Sequence, residues 1–228
     1  MDDSGGAMVA ARRDGKRLLR MARIGALATL DGGGPLTTLV GVASDWDGAP
    51  LFLMSDLARH TKNLADDPRA SLLLTSEGGR GDPLNQPRLT LNGVVRRRPG
   101  EDGRDRYQRR NPKSKLYIDF ADFSLRRLEI EAVHFNGGFG RADAITPGDL
   151  LTPGDASALA AAEADLLGRV AALGDAALAR LAGGAKRVWR PIGLDAEGLD
   201  LGAGGEVARV DFAAPAYDPE AWWAALTA

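Results

Sequence analysis

Residues 55–74 read SDLARHTKNLADDPRASLLL, a short polar segment running straight into an evenly apolar one. Ser55 or Asp56 is a natural N-cap, and Leu57, Thr61 and Leu64 recur at helical spacing, which predicts a helix over 57–65. RASLLLTS (69–76) is too short and too evenly apolar for anything but a buried strand. The charges of the helix are reversed. Arg59, His60 and Lys62 crowd its start, while Asp66 and Asp67 stand at its end before Pro68, and a helix dipole favours the opposite order. An anion, phosphate above all, held between these cations and the unsatisfied first-turn N–H groups would make the order favourable, with the Ser55 hydroxyl as a further donor. The plain alternative is an exposed helix whose charges are solvated, since Arg59 and Lys62 face away from the Leu57–Thr61–Leu64 stripe.

Working outward, residues 8–23 form a basic amphipathic pattern, and GALATL (25–30), LTTLVGVAS (36–44) and LFLMS (51–55) read as strands separated by the turns DGGGP and DWDGAP. RLTLNGVVRRR (88–98) alternates as a half-buried strand should, residues 101–116 read as a helix, and Leu125 to Phe135 form a long strand. Hairpin-like spacing of this kind predicts an antiparallel closed or split β-barrel rather than a parallel sheet. Two Thr-Pro-Gly-Asp turns at 145–155 mark a linker. Beyond it, residues 155–184 are helical with a break at Gly174–Asp175, AKRVWRPIGLD and LDLGAGGEVARVDF read as a hairpin, and DPEAWWAALTA (218–228) is a capped terminal helix. The expected class is α+β: a split-barrel domain over 8–145 and a small α+β domain over 155–228.

The 29 basic and 31 acidic residues nearly cancel, so no whole-molecule field points to nucleic acid or to a membrane surface. From Arg88 to Lys115 there are ten basic residues against three acidic ones, with Tyr107, Tyr117, Phe120 and Phe123 nearby. A local excess in a neutral chain is weak support for nucleic-acid binding, and no nucleic-acid partner is expected. The absence of cysteine, of an apolar leader and of any bilayer-length apolar run fits a cytoplasmic protein with no membrane partner. Two histidines without cysteine leave too few ligands for a metal site of the protein's own, and no side chain stands out as a general acid or base.

The order LFLMS, DLARHTKNLADDPRASLLL, GDPLNQPRLTLNG, YIDFADFSLRRLEIEAVHFNGGFGRA resembles the pyridoxamine 5′-phosphate oxidase-like split-barrel superfamily over about residues 15–150. Within it the chain is most similar to the HugZ-type haem-utilisation and CREG-like branch, whose small C-terminal domain WRPIGLDAEGLDL and VARVDF resemble. The resemblance implies a homodimer with the cofactor in a cleft between subunits. In flavin-binding relatives an Arg-Lys pair at the start of this helix holds the FMN phosphate, and Arg59 and His60 occupy those places, with Lys62 close behind. Ser55 is a further phosphate contact by the same comparison, and Arg88 takes the place of a polar residue that reaches the flavin. Arg141 in GFGRA is a candidate partner for a cofactor carboxylate, a surface turn being the plainer role.

The departures carry information too. Relatives that oxidise pyridoxamine phosphate place an arginine within the strand read at 36–44 and a lysine at its end; this chain has Thr37 and Val42 there, which argues against that reaction. Haem-handling relatives often ligate iron through a C-terminal histidine, whereas the histidines here are His60 and His134. The resemblance thus implies an FMN-binding flavoprotein of oxidoreductase type that is not a pyridoxamine phosphate oxidase. The alternatives are a haem-binding or haem-degrading protein, and a CREG-like binding module without cofactor chemistry.

Overall fold

The chain opens on α1 (Asp3–Met21), which lays Ala11 and Leu19 into the core. The structure, a computed structural model, describes residues 3–76, 82–100, 102–138, 142–143, 145–184 and 186–228. They divide into one unit ending at Leu151 and a second spanning Thr152–Ala228. Among the described residues no helix is long and apolar enough to cross a membrane.

In the first unit β1 (Ile24–Asp31) and β2 (Gly34–Gly41) pair in register from Ile24↔Gly41 to Asp31↔Gly34. The turn between them is Gly32–Gly33, with φ of 59° and 91°. Two successive left-handed residues give a turn whose twist matches the strands, so the ladder runs on to Asp31, a residue expected in the turn. At buried Val42 the chain leaves β1, and the Val42 N–H donates to the Arg23 carbonyl at 2.8 Å. β3 (Ala43–Ser44) then joins β4 (Pro50–Ser55), so the strand expected over 36–44 is two strands on different edges of the sheet.

The remaining members are α2 (Arg59–Asp66), β5 (Arg69–Thr75), β6 (Arg88–Arg97), α3 (Asp102–Arg110), β7 (Phe123–Asn136), β8 (Ala142–Asp143) and α4 (Pro147–Leu150). The order across the sheet is β2-β1-β5-β6-β7-β4-β3, with β8 beside β7 and every pairing antiparallel. This is the antiparallel split β-barrel expected from the sequence. Leu27, Leu72, Leu89, Leu91 and Leu128 point inward and are fully buried, and Phe52 and Phe135 pack among them. The helix expected over 101–116 is divided: α3 stops at Arg110, and Pro112, which lacks an N–H and clashes with a preceding turn, starts a separate 3₁₀ turn over 112–116.

In the second unit α5 (Ser157–Ala171) and α6 (Asp175–Leu181) separate at Gly174, and α7 (Pro219–Thr227) is capped by the Asp218 carboxylate, which accepts from the N–H groups of Glu220 and Ala221. β9 (Arg190–Asp195), β10 (Gly198–Ala203) and β11 (Glu206–Asp211) form a meander with order β11-β10-β9. The hairpin expected from the sequence gains a third strand because Gly204 and Gly205, both at positive φ, supply a second tight turn. Leu194, Leu199, Leu201 and Trp222 are fully buried beneath the helices. Buried Arg209 holds Asp195 at 2.7 Å, Asp200 at 2.9 Å and Asp211 at 2.8 Å.

Candidate cofactor cleft

Because β3 spans two residues, its pairing with β4 ends at Ala43↔Leu51. Further along, Leu53–Ser55 on β4 face a gap, across which lies β2, the terminal strand of the sheet order. Between them opens a cleft of about 490 Å³. Leu39 and Val40 of β2 and Leu53 and Met54 of β4 give it apolar sides. Tyr107 of α3 closes one end. Its hydroxyl is hydrogen-bonded to the Leu53 backbone, and a Cβ on Gly41 would lie 2.5 Å from that oxygen. Burial pushes the Tyr107 phenol well above its usual range, so it stays neutral. Asn111 donates from Nδ2 to the Val42 carbonyl at 3.1 Å, tying the end of α3 to the point where β2 passes into β3.

The far wall is built by the 3₁₀ turn at 112–116 together with Tyr117 and Phe123. Ser114 is fully buried, and its Oγ has no hydrogen-bond partner among the described residues. The rings of Tyr117 and Phe123 stand 5.0 Å apart, and the cations along the cleft are Arg23 and exposed Lys113. An apolar and aromatic slot with cations on its lining suits a flat apolar ligand that carries anionic groups.

The helix with reversed charges, α2, sits beside this cleft but begins later than expected. Ala58 is its N-cap residue, with no side-chain cap, in place of Ser55 or Asp56. The Ser55 hydroxyl accepts from the Leu57 N–H at 3.1 Å and donates to the Asp122 carboxylate, which makes a separate local turn and delays the helix. Leu57, expected on the buried stripe, is therefore 74% exposed. The face α2 does bury carries Thr61, Asn63 and Leu64, and the Asn63 amide donates to the Thr29 hydroxyl at 3.0 Å.

Each reversed end has a partner outside the helix. Arg59 makes a two-point contact with Asp31, at 2.9 and 2.5 Å, and this hydrogen bonding holds the Asp31 carboxyl below its ordinary range. Asp67 pairs with Arg69, which lowers its pKa to about 2.

Of the predicted site residues, Ser55 and His60 line the cleft and Arg59, Lys62 and Arg88 do not. Lys62 lies on the solvent face of α2. Arg88 donates to the Leu84 carbonyl at 2.9 Å and pairs with Asn136 at the end of β7, whereas Ser55 pairs with Phe123 at its start. β7 has 14 residues, so these ends are roughly 40 Å apart along the strand at about 3.3 Å per residue. One chain alone therefore does not gather the five into a single cradle. Thr37 is exposed, Val42 is core, and Arg141 lies outside the described residues.

His60 is half-buried, and its Nδ1 lies 3.1 Å from the Thr38 hydroxyl. Burial, reinforced by the Arg126 guanidinium, lowers its pKa, so the imidazole is neutral at pH 7. His134 pairs with Thr90 across the β6–β7 ladder and is exposed on the outer face of the sheet.

Sequence reasoning missed the wall formed by Tyr107, Asn111, Lys113, Ser114 and Tyr117. Its signal was the basic and aromatic excess between Arg88 and Phe123. Three arginines of that stretch turn inward: Arg98 to the Asp45 carboxylate at 3.0 Å, Arg106 to the Ser44 carbonyl at 2.5 Å and Arg110 to the Arg20 carbonyl at 2.9 Å. The Asn-Pro at 111–112, a breaker, was the readable mark of the turn that builds the wall.

Residues 13–137 match the family described as pyridoxamine 5′-phosphate oxidase. A protein of unknown function from Agrobacterium tumefaciens superposes with a TM-score of 0.82 at 37% identity, over 97% of this chain and 96% of that one. A haem-binding protein from Mycobacterium smegmatis is 32% identical over 95% of this chain and 94% of its own, with a TM-score of 0.58. The chloroplastic non-canonical haem oxygenase HOZ of Arabidopsis thaliana is 35% identical over 115 residues, 48% of this chain and 34% of that protein, so the match spans about a third of that relative. The chain belongs to the pyridoxamine 5′-phosphate oxidase-like split-barrel superfamily, in its haem-utilisation branch.

Proposed function

We propose that this protein binds haem in the β2–β4 cleft and works as a homodimer. The observation that carries the proposal is the lining of the cleft: apolar and aromatic walls, a neutral imidazole at His60, and cations at Arg23 and Lys113 for the propionates. The haem-binding relative from M. smegmatis and the haem oxygenase HOZ support it. When bound, haem supplies iron redox and oxygen chemistry of its own. Arg23 and Lys113 would hold its propionates, and Tyr117 and Phe123 would pack against its apolar surface.

The second copy enters through the cleft's apolar border. Leu39 is 72% exposed, and Ala26 and Leu73 lie beside it in register on the outer face of β1 and β5, with Ile24 also exposed. A partner seated on that face would cover this surface and bring its own Arg88 toward a cleft that this chain's Arg88 does not line.

The FMN reading keeps one observation in its favour: α2 has no side-chain cap and no acidic residue in its first turn, which leaves its N-terminus open to a phosphate. Against it stands Arg59, whose guanidinium is already held by Asp31. Thr37 and Val42 argue against pyridoxamine phosphate oxidation in either case. Titration of the purified protein with haemin and separately with FMN, followed by absorption and by sedimentation, tests all of this. A shifted Soret band at one haem per chain in a dimer is expected. A flavin-only complex would overturn haem in favour of an FMN oxidoreductase. Binding of neither cofactor would overturn both in favour of a CREG-like module.

A further inference from the structure

We infer that His60 would hold haem iron through Nε2, with Thr38 as the residue that positions it. The inference rests on the haem proposal above and assigns its ligand. The chain has two histidines, and they occupy opposite surroundings. His134 is exposed in the ladder row Leu39–Ala26–Leu73–Thr90–His134, four strands from Leu39, and does not line this chain's cleft. His60 lines the cleft between the apolar sides of β2 and β4.

Its two ring nitrogens are already distinguished. Nδ1 lies 3.1 Å from the Oγ1 of Thr38 on β2, while Nε2 has no hydrogen-bond partner among the described residues. Coordination through Nε2 requires the proton on Nδ1, where the Thr38 hydroxyl is placed to accept it. A metal-ligating histidine commonly donates its second N–H in this way, which fixes both ring orientation and tautomer. The site thus offers an oriented, neutral imidazole beside an apolar slot before any cofactor arrives.

The test is haemin binding to the full chain, read by absorption and by resonance Raman of the ferrous complex. Wild type is expected to show an iron–histidine stretch. His60→Ala should lose it, and added imidazole should restore it; His134→Ala should keep it. Thr38→Val, which retains the ligand and removes its acceptor, should lower the frequency of that stretch and weaken affinity roughly 10–100-fold. A purely structural role for Thr38 would leave the frequency unmoved. Retention of the stretch in His60→Ala, or its loss in His134→Ala, would overturn the assignment while leaving haem binding intact. Failure of wild type to bind haemin would overturn the haem proposal itself. Should His60→Ala not fold, the frequency in Thr38→Val decides the question alone.

Discussion

Substituting Gly41 by alanine should jam the end of the cleft, and removing one oxygen from Tyr107 should free it again. A Cβ on Gly41 would lie 2.5 Å from the Tyr107 hydroxyl, while the next nearest atoms, Tyr107 Cζ and Asn111 Oδ1, are 3.6 Å away. Gly41 has no positive φ, so alanine fits its backbone and the whole penalty comes from that single contact. Overpacking of this kind costs about 1–3 kcal/mol, because the ring must swing away from the seam between β2 and β4. Tyr107→Phe alone removes the hydroxyl that is hydrogen-bonded to the Leu53 backbone, a loss of about 1–3 kcal/mol when the abandoned group stays buried. In the double variant the clash is absent, and the second substitution should add little to the first. The predicted coupling is about 1–2 kcal/mol in the sense of mutual rescue. Urea unfolding of the four proteins, with equal m-values, measures it. Additive penalties, within about 0.5 kcal/mol, would refute the claim that the Tyr107 oxygen is the contact that seals the seam.

Asp31→Asn releases Arg59 from an exposed ion pair, so the unfolding midpoint should barely move and haemin affinity should be unchanged. A gain in FMN affinity in that variant would support the flavin reading. His60 titrates lower in the folded chain than in the unfolded one, so the unfolded state takes up the proton first as pH falls. Stability should therefore decline below about pH 6.5, the ordinary histidine value, and His60→Gln should flatten that part of the profile. Asp67 has the same sign further down: its pairing with Arg69 contributes above the ordinary carboxylate range and is lost as pH falls toward about 2. In the second unit Arg209→Met removes the buried guanidinium that pairs with Asp195 and Asp200, and unfolding should become easier by about 3–5 kcal/mol.

The barrel was legible because its strands announce themselves in alternation. Leu89 and Leu91 point in while Thr90 and Asn92 point out, and the structure keeps that pattern. The cleft was less legible, for two reasons. Arg59 finds its partner 28 residues away, on a strand extended to Asp31 by a turn of two glycines, and no local spacing reveals such a pairing. The wall at 107–117 is assembled by a helix that ends early, so residues read as one helical face point in different directions. His60 was visible as a site residue, yet its orientation comes from Thr38 on a separate strand. Burial, which decides whether its imidazole is charged, is likewise a tertiary property.

A ladder admits only whole-residue shifts, and a one-residue slip would turn every core side chain of a strand to the solvent. At the gap between β2 and Leu53–Ser55, Tyr107 stands in for a ladder rung, and its hydroxyl sits on the Leu53 backbone beside Gly41. The aperture there can be adjusted by single atoms, at positions 41, 107, 111 and 114, without changing the pairing of any strand. Ser114 is already a half-step of this kind, a buried hydroxyl whose replacement by alanine would remove an unpaired group and leave the barrel as it is. The choice of guest is thereby uncoupled from the scaffold, and a change of cofactor within such a barrel needs no change of register.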